Sequence, residues 1–137
     1  MKRTAPPGGA PPPSSATLPG GERIELVPLA EEITRRYLEE FPGDLERYGD
    51  VAREWGVHDN RYILAWTAGD LAGHPMLAGQ VGWLASVLGA RGFPLGQLAR
   101  NLELAAEVLA ERLPGERERI AELLGAAAVS VRASAQA

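Results

Sequence analysis

The sequence predicts an all-α fold, a single bundle of about six helices. Three observations lead to this prediction. Apolar residues recur at helical spacing from residue 28 to residue 132, glycine and proline mark the breaks between these segments, and no useful length of chain alternates as a strand would. With 137 residues, a single domain is expected. A globin-like arrangement is one form that such a bundle can take.

The N-terminal segment differs in composition from the rest of the chain. Residues 1–22 consist almost entirely of Pro, Gly, Ala, Ser and Thr. Such a segment buries too little apolar surface to offset the entropy lost on ordering. We therefore expect a disordered tail over residues 1–22, a helical domain over residues 23–133, and frayed residues at 134–137. A short extended piece at residues 23–27 precedes the first helix.

The first two helices are predicted over residues 28–41 and 44–55. The first carries an apolar residue at every fourth position, and a Pro-Gly pair ends it. The second is interpreted as ending at Gly56, and Asp59 is a natural N-cap for a third helix. The inward residues of these two helices are Leu29, Ile33, Tyr37, Phe41, Leu45, Tyr48, Ala52 and Trp55.

Residues 59–92 form the expected centre of the bundle. They read as two strongly apolar helices joined at Gly73, His74 and Pro75. In the second of these helices an apolar stripe keeps core spacing: Leu77, Val81, Leu84 and Leu88. Two further helices follow, over residues 94–113 and 116–132, each with a regular apolar stripe and acidic residues on other faces.

A stripe of small residues runs beside that apolar stripe: Gly79, Gly82, Ser86 and Gly89. Each glycine inside a helix costs about 1 kcal/mol relative to alanine, so the stripe calls for a compensating reason. Close approach of another helix within the bundle is the interpretation we favour. A homodimer face and the border of a ligand pocket are the alternatives.

Composition excludes several classes of protein. The net charge of −4 is the opposite of what phosphate neutralisation requires, so we expect no nucleic-acid binding. The chain has no cysteine for a disulfide or a thiolate metal site. Its longest weakly polar run is shorter than the roughly 20 residues that a bilayer requires. No apolar segment of a secretory signal follows Lys2 and Arg3, so a cytoplasmic location is expected.

No catalytic signature is present. The two histidines, His58 and His74, lie in no metal-ligand motif, and both are interpreted as surface turn residues. The alternative is that one of them ligates a haem or another tetrapyrrole. Asp70, four residues before His74, is expected either to face outward or to bond that histidine.

The aromatic residues are expected mainly in the core, but some of them can line a pocket. Trp55, Trp66 and Trp83 come from three successive predicted helices, and their indole N–H groups suit a polar ligand atom. The candidate ligand-binding residues are therefore Trp55, Tyr62, Trp66, Trp83, His58 and His74.

Residues 41–113 carry a pattern of short motifs: Arg47-Tyr48-Gly49, a Gly/Pro-marked turn before a helix bearing Trp83, Ala90-Arg91-Gly92, and Asn101-Leu102. In these features the chain resembles a helical domain of bacterial sensory and regulatory proteins, similar to the segment that precedes cobalamin-binding modules. The resemblance implies a regulatory role. The Asp-x-His-x-x-Gly run that supplies a lower ligand to cobalamin is absent, so cobalamin binding is not implied.

Together these observations predict a non-enzymatic regulatory or ligand-sensing domain with no resident cofactor. A small molecule or a protein is the expected partner, and a homodimer stays open. The alternative is a globin-like protein that binds haem or another tetrapyrrole through His58 or His74.

Overall fold

The computed structural model describes residues 11–135. Within this range a two-stranded hairpin precedes six α-helices, which confirms the all-α bundle. The strands are β1 (Ser15–Thr17) and β2 (Arg23–Glu25), and the helices are α1 (Leu26–Glu40), α2 (Pro42–Tyr48), α3 (Asp50–Leu71), α4 (Leu77–Ala90), α5 (Leu95–Arg112) and α6 (Arg117–Ala135). A turn of 3₁₀ helix at Pro114–Glu116 leads into α6. The likeness to globins stays a prediction.

The hairpin corrects the predicted tail. β1 pairs antiparallel with β2, with Ser15 opposite Glu25, and Leu18 and Ile24 are only 8% and 1% exposed. The Arg61 side chain in α3 donates to the carbonyl oxygens of Pro12 and Pro13 at 2.7 and 3.1 Å. Residues 11–22 are therefore held against the bundle rather than forming part of a free tail, and residues 1–10 lie outside the described range.

The boundary between α2 and α3 also differs from the prediction. The chain breaks at Gly49, whose φ of 64° favours glycine, and not at Gly56. α3 runs for 22 residues straight through Gly56 and Asp59, so Asp59 caps nothing. Gly56 permits close approach of α1 instead, because a Cβ atom there would lie 2.6 Å from Thr34 Cγ2.

The core lies where α5 packs along α6 and α1 packs along α3. The predicted stripe of α5 is buried at Leu98, Leu102, Ala105 and Leu109, and α6 contributes Ile120 and Leu124. None of the helices in the described range is both long and apolar enough to cross a membrane.

The two sides of α4 have opposite surroundings. Leu77, Val81 and Leu84 are buried, so the predicted inward stripe is confirmed there. The small-residue stripe is exposed, and a Cβ atom built on Gly79 or Gly82 meets nothing within 4 Å. The interpretation of this stripe as internal packing is therefore wrong, because within residues 11–135 no helix covers Gly79 or Gly82, and at Gly89 a Cβ atom would lie in ordinary contact with the Leu95 side chain, 3.6 Å away.

Candidate functional site

A cavity of about 400 Å³ opens between α1, α3, α4 and α5, with α2 beside its mouth. Its lining changes with the burial of the side chains. The buried lining side chains, here called the floor, include neutral polar groups. The half-buried ones, here called the walls, are rich in aromatic rings, and the exposed ones, here called the rim, include Arg47 and Arg91. This lining makes the cavity the candidate functional site.

The floor of the cavity is a hydrogen-bonded set of three buried polar side chains. Asn60 Nδ2 donates to Thr34 Oγ1 at 3.0 Å and to Asn101 Oδ1 at 3.3 Å. Asn101 Nδ2 donates back to Asn60 Oδ1 at 2.7 Å, and the Thr34 hydroxyl donates to the carbonyl oxygen of Ala30 at 2.8 Å. Three helices, α1, α3 and α5, are thus joined through neutral polar groups.

Local sequence explains why these groups meet. Gly56 lies one helical turn before Asn60 on α3, and its missing side chain lets Thr34 of α1 come within contact. Asn101 lies beside Leu102 on the buried face of α5. Because an unbonded polar group costs stability when it is buried, this close approach and the mutual hydrogen bonds are needed together.

Aromatic side chains form much of the cavity wall. Trp55 from α3, Trp83 from α4 and Phe93 from the α4–α5 turn are all half-buried on the lining. The Trp55 ring packs against Tyr48, with centroids 5.5 Å apart, and the Arg47 guanidinium lies 6.0 Å from the Tyr48 ring centroid. Flat apolar walls of this kind suit a planar ligand, because ring faces stack on one another.

Tyr37 ties α1 to both α2 and α5 at one side of the cavity. Its hydroxyl donates to Asp44 Oδ2 at 2.6 Å and lies 2.8 Å from Gln97 Oε1. Burial raises the pKa of the Tyr37 phenol well above its ordinary value, and the hydrogen bond to Asp44 adds to the increase. The phenol therefore stays protonated at neutral pH, and its hydrogen bonds link α1 to α2 and α5.

His58 lies on the cavity wall, where it contacts two neighbouring side chains. Its Nδ1 is 3.0 Å from Asp59 Oδ1, and its ring meets the Tyr62 ring edge-on with centroids 5.2 Å apart. A carboxylate that bonds one imidazole nitrogen orients the other, which is the arrangement found at metal-ligating histidines. The prediction that His58 lies in a surface turn is wrong, since the residue is within α3.

The structure brings together only part of the predicted ligand-binding set. Trp55, Trp83 and His58 line the cavity. Tyr62 and Trp66 do not: they are buried and stack on each other within α3, with centroids 5.7 Å apart. The alternative of one pocket shared by three tryptophans is therefore wrong for Trp66, which is 5% exposed and belongs to the core, where most of the aromatic residues were expected.

His74 also lies away from the cavity, exposed in the turn between α3 and α4. Asp70 does not bond it. Asp70 Oδ1 accepts hydrogen bonds from the backbone N–H groups of Met76 and Leu77 at 2.7 and 2.9 Å. Its carboxylate thus satisfies unpaired donors at the start of α4, where negative charge is stabilising.

The floor residues Thr34, Asn60 and Asn101 are functional candidates that sequence reasoning missed. Each is a short polar residue at a position where the helical pattern requires an apolar one. That signal is present in α5, where Asn101 shares the buried face with Leu98 and Leu102. In the described range a second depression, over Pro114–Glu122, is lined by charged and turn residues without any aromatic ring.

No family model, curated protein sequence or solved structure matches this chain. Among residues 11–135, no three His, Asp or Glu side chains are grouped so that they could hold a metal ion. The cavity is therefore the feature of the molecule that points to a function.

Proposed function

We propose that this chain is a regulatory or ligand-sensing helical domain that binds a small, planar and largely apolar molecule in the cavity. The observation that carries the proposal is the composition of the lining: aromatic walls above a floor of hydrogen-bonded neutral groups. Small-molecule sites are typically concavities of roughly 300–1,000 Å³, mostly apolar, with a few placed polar groups. At about 400 Å³ this cavity lies within that range.

Binding without catalysis is the role that the polar groups favour. The Asp44 carboxylate accepts a hydrogen bond from the Tyr37 phenol, and the Asp59 carboxylate is hydrogen-bonded to the His58 ring. The Thr34 hydroxyl donates to a backbone carbonyl rather than to a base. Tyr37 and His58 are each already bonded to a carboxylate, and groups fixed in this way can position a ligand.

Blocking the cavity tests the proposal. Ala52 lines the cavity, and its neighbour Val51 is exposed and does not. With 2-naphthol as the probe, we expect calorimetric titration to show binding by the wild type and by Val51→Trp. Binding by Ala52→Trp should be weaker by tenfold or more. No binding by the wild type, or equal binding by both variants, would refute a ligand site here.

A tetrapyrrole held by His58 is the second candidate. It is supported by the position of His58 on the cavity wall and by the Asp59 carboxylate on its Nδ1 atom. Titration with haemin should then give a Soret band that His58→Ala abolishes and His74→Ala preserves. A band that is unchanged in His58→Ala would exclude this mode of binding.

The expected protein partner, the homodimer and the cytoplasmic location stay predictions from the sequence. The exposed small-residue stripe of α4 is the surface on which a second copy of the chain would dock. Sedimentation of the wild type over a range of concentrations tests the homodimer directly.

A further inference from the structure

Asn101 has hydrogen-bonding capacity that the protein does not use. A primary amide offers two N–H donors and two acceptor lone pairs. Within the described residues, Asn101 makes one bond with each side of its amide, both to Asn60, at 2.7 and 3.3 Å. One N–H and one lone pair are left over. Asn60 differs, because both of its N–H groups are engaged, one by Thr34 and one by Asn101.

Asn101 lies where a ligand can reach it. Asn101 lines the cavity, and 9% of its surface is exposed, against 2% for Asn60. Because Asn60 holds it in a two-way amide pair, its amide is fixed in orientation before any ligand arrives. Donors and acceptors that are already ordered lose less entropy on binding than mobile ones.

The charges of the lining are balanced. Two acidic residues, Asp44 and Asp59, and two arginines, Arg47 and Arg91, lie on the lining, and the floor contains neutral groups alone. A charged ligand group buried beside that floor would lose its hydration without meeting an opposite charge, which is costly. A neutral polar group would lose less and would find a partner in Asn101.

We infer that the cavity recognises a neutral planar ring system whose inner end carries an amide, lactam or similar neutral hydrogen-bonding group, and that Asn101 bonds this group. The inference depends on the proposed function, since it specifies the ligand of the same cavity. Trp55 and Trp83 contact the ring system, and Asn101, held by Asn60, hydrogen-bonds its polar end.

Three ligands of equal shape test the inference on the intact chain: 2-naphthamide, 2-naphthoate and 2-methylnaphthalene. We expect 2-naphthamide to bind about three- to tenfold more tightly than 2-methylnaphthalene, the range for one net hydrogen bond in a buried site. The carboxylate 2-naphthoate should bind more weakly than the amide. Calorimetric or fluorescence titration gives all three dissociation constants.

The variant Asn101→Ala completes the experiment. It should remove the preference for 2-naphthamide while 2-methylnaphthalene still binds, which reports that the cavity is intact. If Asn101→Ala does not fold, the ligand comparison in the wild type decides alone.

The outcomes distinguish a failure of the proposed function from a failure of the role assigned to Asn101. If none of the three ligands binds the wild type, the proposed function fails. If 2-methylnaphthalene binds as tightly as the amide, or 2-naphthoate binds most tightly, the ligand site stands and the assignment of a neutral polar group to Asn101 is overturned.

Discussion

Gly56 in α3 and Gly82 in α4 are both glycines within a helix, yet one is closely packed and the other faces open space. A Cβ atom at Gly56 would lie 2.6 Å from Thr34 Cγ2, whereas a Cβ atom at Gly82 would meet nothing within 4 Å. Gly56 is where α1 and α3 come close enough to build the polar floor of the cavity. A glycine in a helix therefore indicates close packing only when a neighbouring helix is there to use the space.

The difference extends to the whole outer side of α4. The exposed faces of α1 and α5 are charged and joined by ion pairs, such as Arg36 with Glu111 and Arg100 with Glu40, both at 2.9 Å. The stretch Leu77–Ala90 has no charged residue at all, although much of it is exposed. Surface helices usually carry charge on the solvent side, so the outer side of α4 is the exception in this bundle.

The largest expected effect separates the two sides of α4. Leu77 is 1% exposed, so Leu77→Ala should lower the free energy of unfolding by about 2–5 kcal/mol. Ser86→Ala, on the exposed side, should change it by less than about 0.5 kcal/mol. Urea unfolding of both variants measures the contrast. Similar losses in the two variants would mean that the outer side of α4 is also packed.

Gly56→Ala is expected to give the next largest change. The added methyl group must displace Thr34, and overpacking of this kind costs about 1–3 kcal/mol, partly offset by the better helix propensity of alanine. Because Thr34 accepts a hydrogen bond from Asn60, ligand binding should weaken as well. Urea unfolding and titration with 2-naphthol measure the two effects. A fully stable variant would show that α1 and α3 are less close than described.

Gly82→Ala should have the opposite sign. With open space at this position, the substitution should raise the free energy of unfolding by about 0.5–1 kcal/mol, because alanine loses less backbone entropy than glycine. The gain should be independent of protein concentration. A loss of stability relative to the wild type that shrinks as the protein is diluted would indicate that a second subunit covers this side of α4.

The smallest effect concerns the charged outer face with which α4 contrasts. Hydrogen bonds from Arg35 and then Arg36 lower the pKa of Glu32 from 4.5 to about 2. The folded protein therefore binds protons less readily than the unfolded chain. The stability that ionised Glu32 contributes to the fold is fully present above about pH 4.5 and is lost as the pH falls towards 2.

Thermal melts between pH 6 and pH 2 should show this loss, and Glu32→Gln should reduce it slightly. The side chain is partly exposed, so high salt should weaken the effect. A Glu32→Gln profile that matches the wild type at low salt would show that this carboxylate contributes nothing.

Deletion of residues 1–22 tests whether the N-terminal segment stabilises the bundle. Composition alone predicts that the thermal midpoint stays unchanged. The buried Leu18 side chain and the hydrogen bond from the Leu26 N–H to the Ser14 carbonyl at 2.8 Å lead us to expect a lower midpoint instead. The sequence could not indicate this, because a three-residue strand in a Pro- and Ser-rich segment produces no periodic signal.

Long-range packing explains most of what the sequence left open. Apolar spacing correctly predicted the buried stripes of α4 and α5, since helical periodicity is a local property. The role of Gly56 could not be predicted, because it depends on Thr34, 22 positions earlier. The cavity floor was missed for a similar reason: a single polar residue on an apolar face is a weak signal, and its partner cannot be identified when Asn60 and Asn101 are 41 residues apart.

The tryptophan indole N–H resonances give the most direct test of the central claim. The chain has three tryptophans, of which Trp55 and Trp83 line the cavity and Trp66 is buried away from it. In ¹H–¹⁵N NMR spectra, titration with 2-naphthamide should shift the Trp55 and Trp83 signals and leave Trp66 in place. If Trp66 alone shifts, or if no indole signal shifts at saturating ligand, the cavity between α1, α3, α4 and α5 is not the binding site.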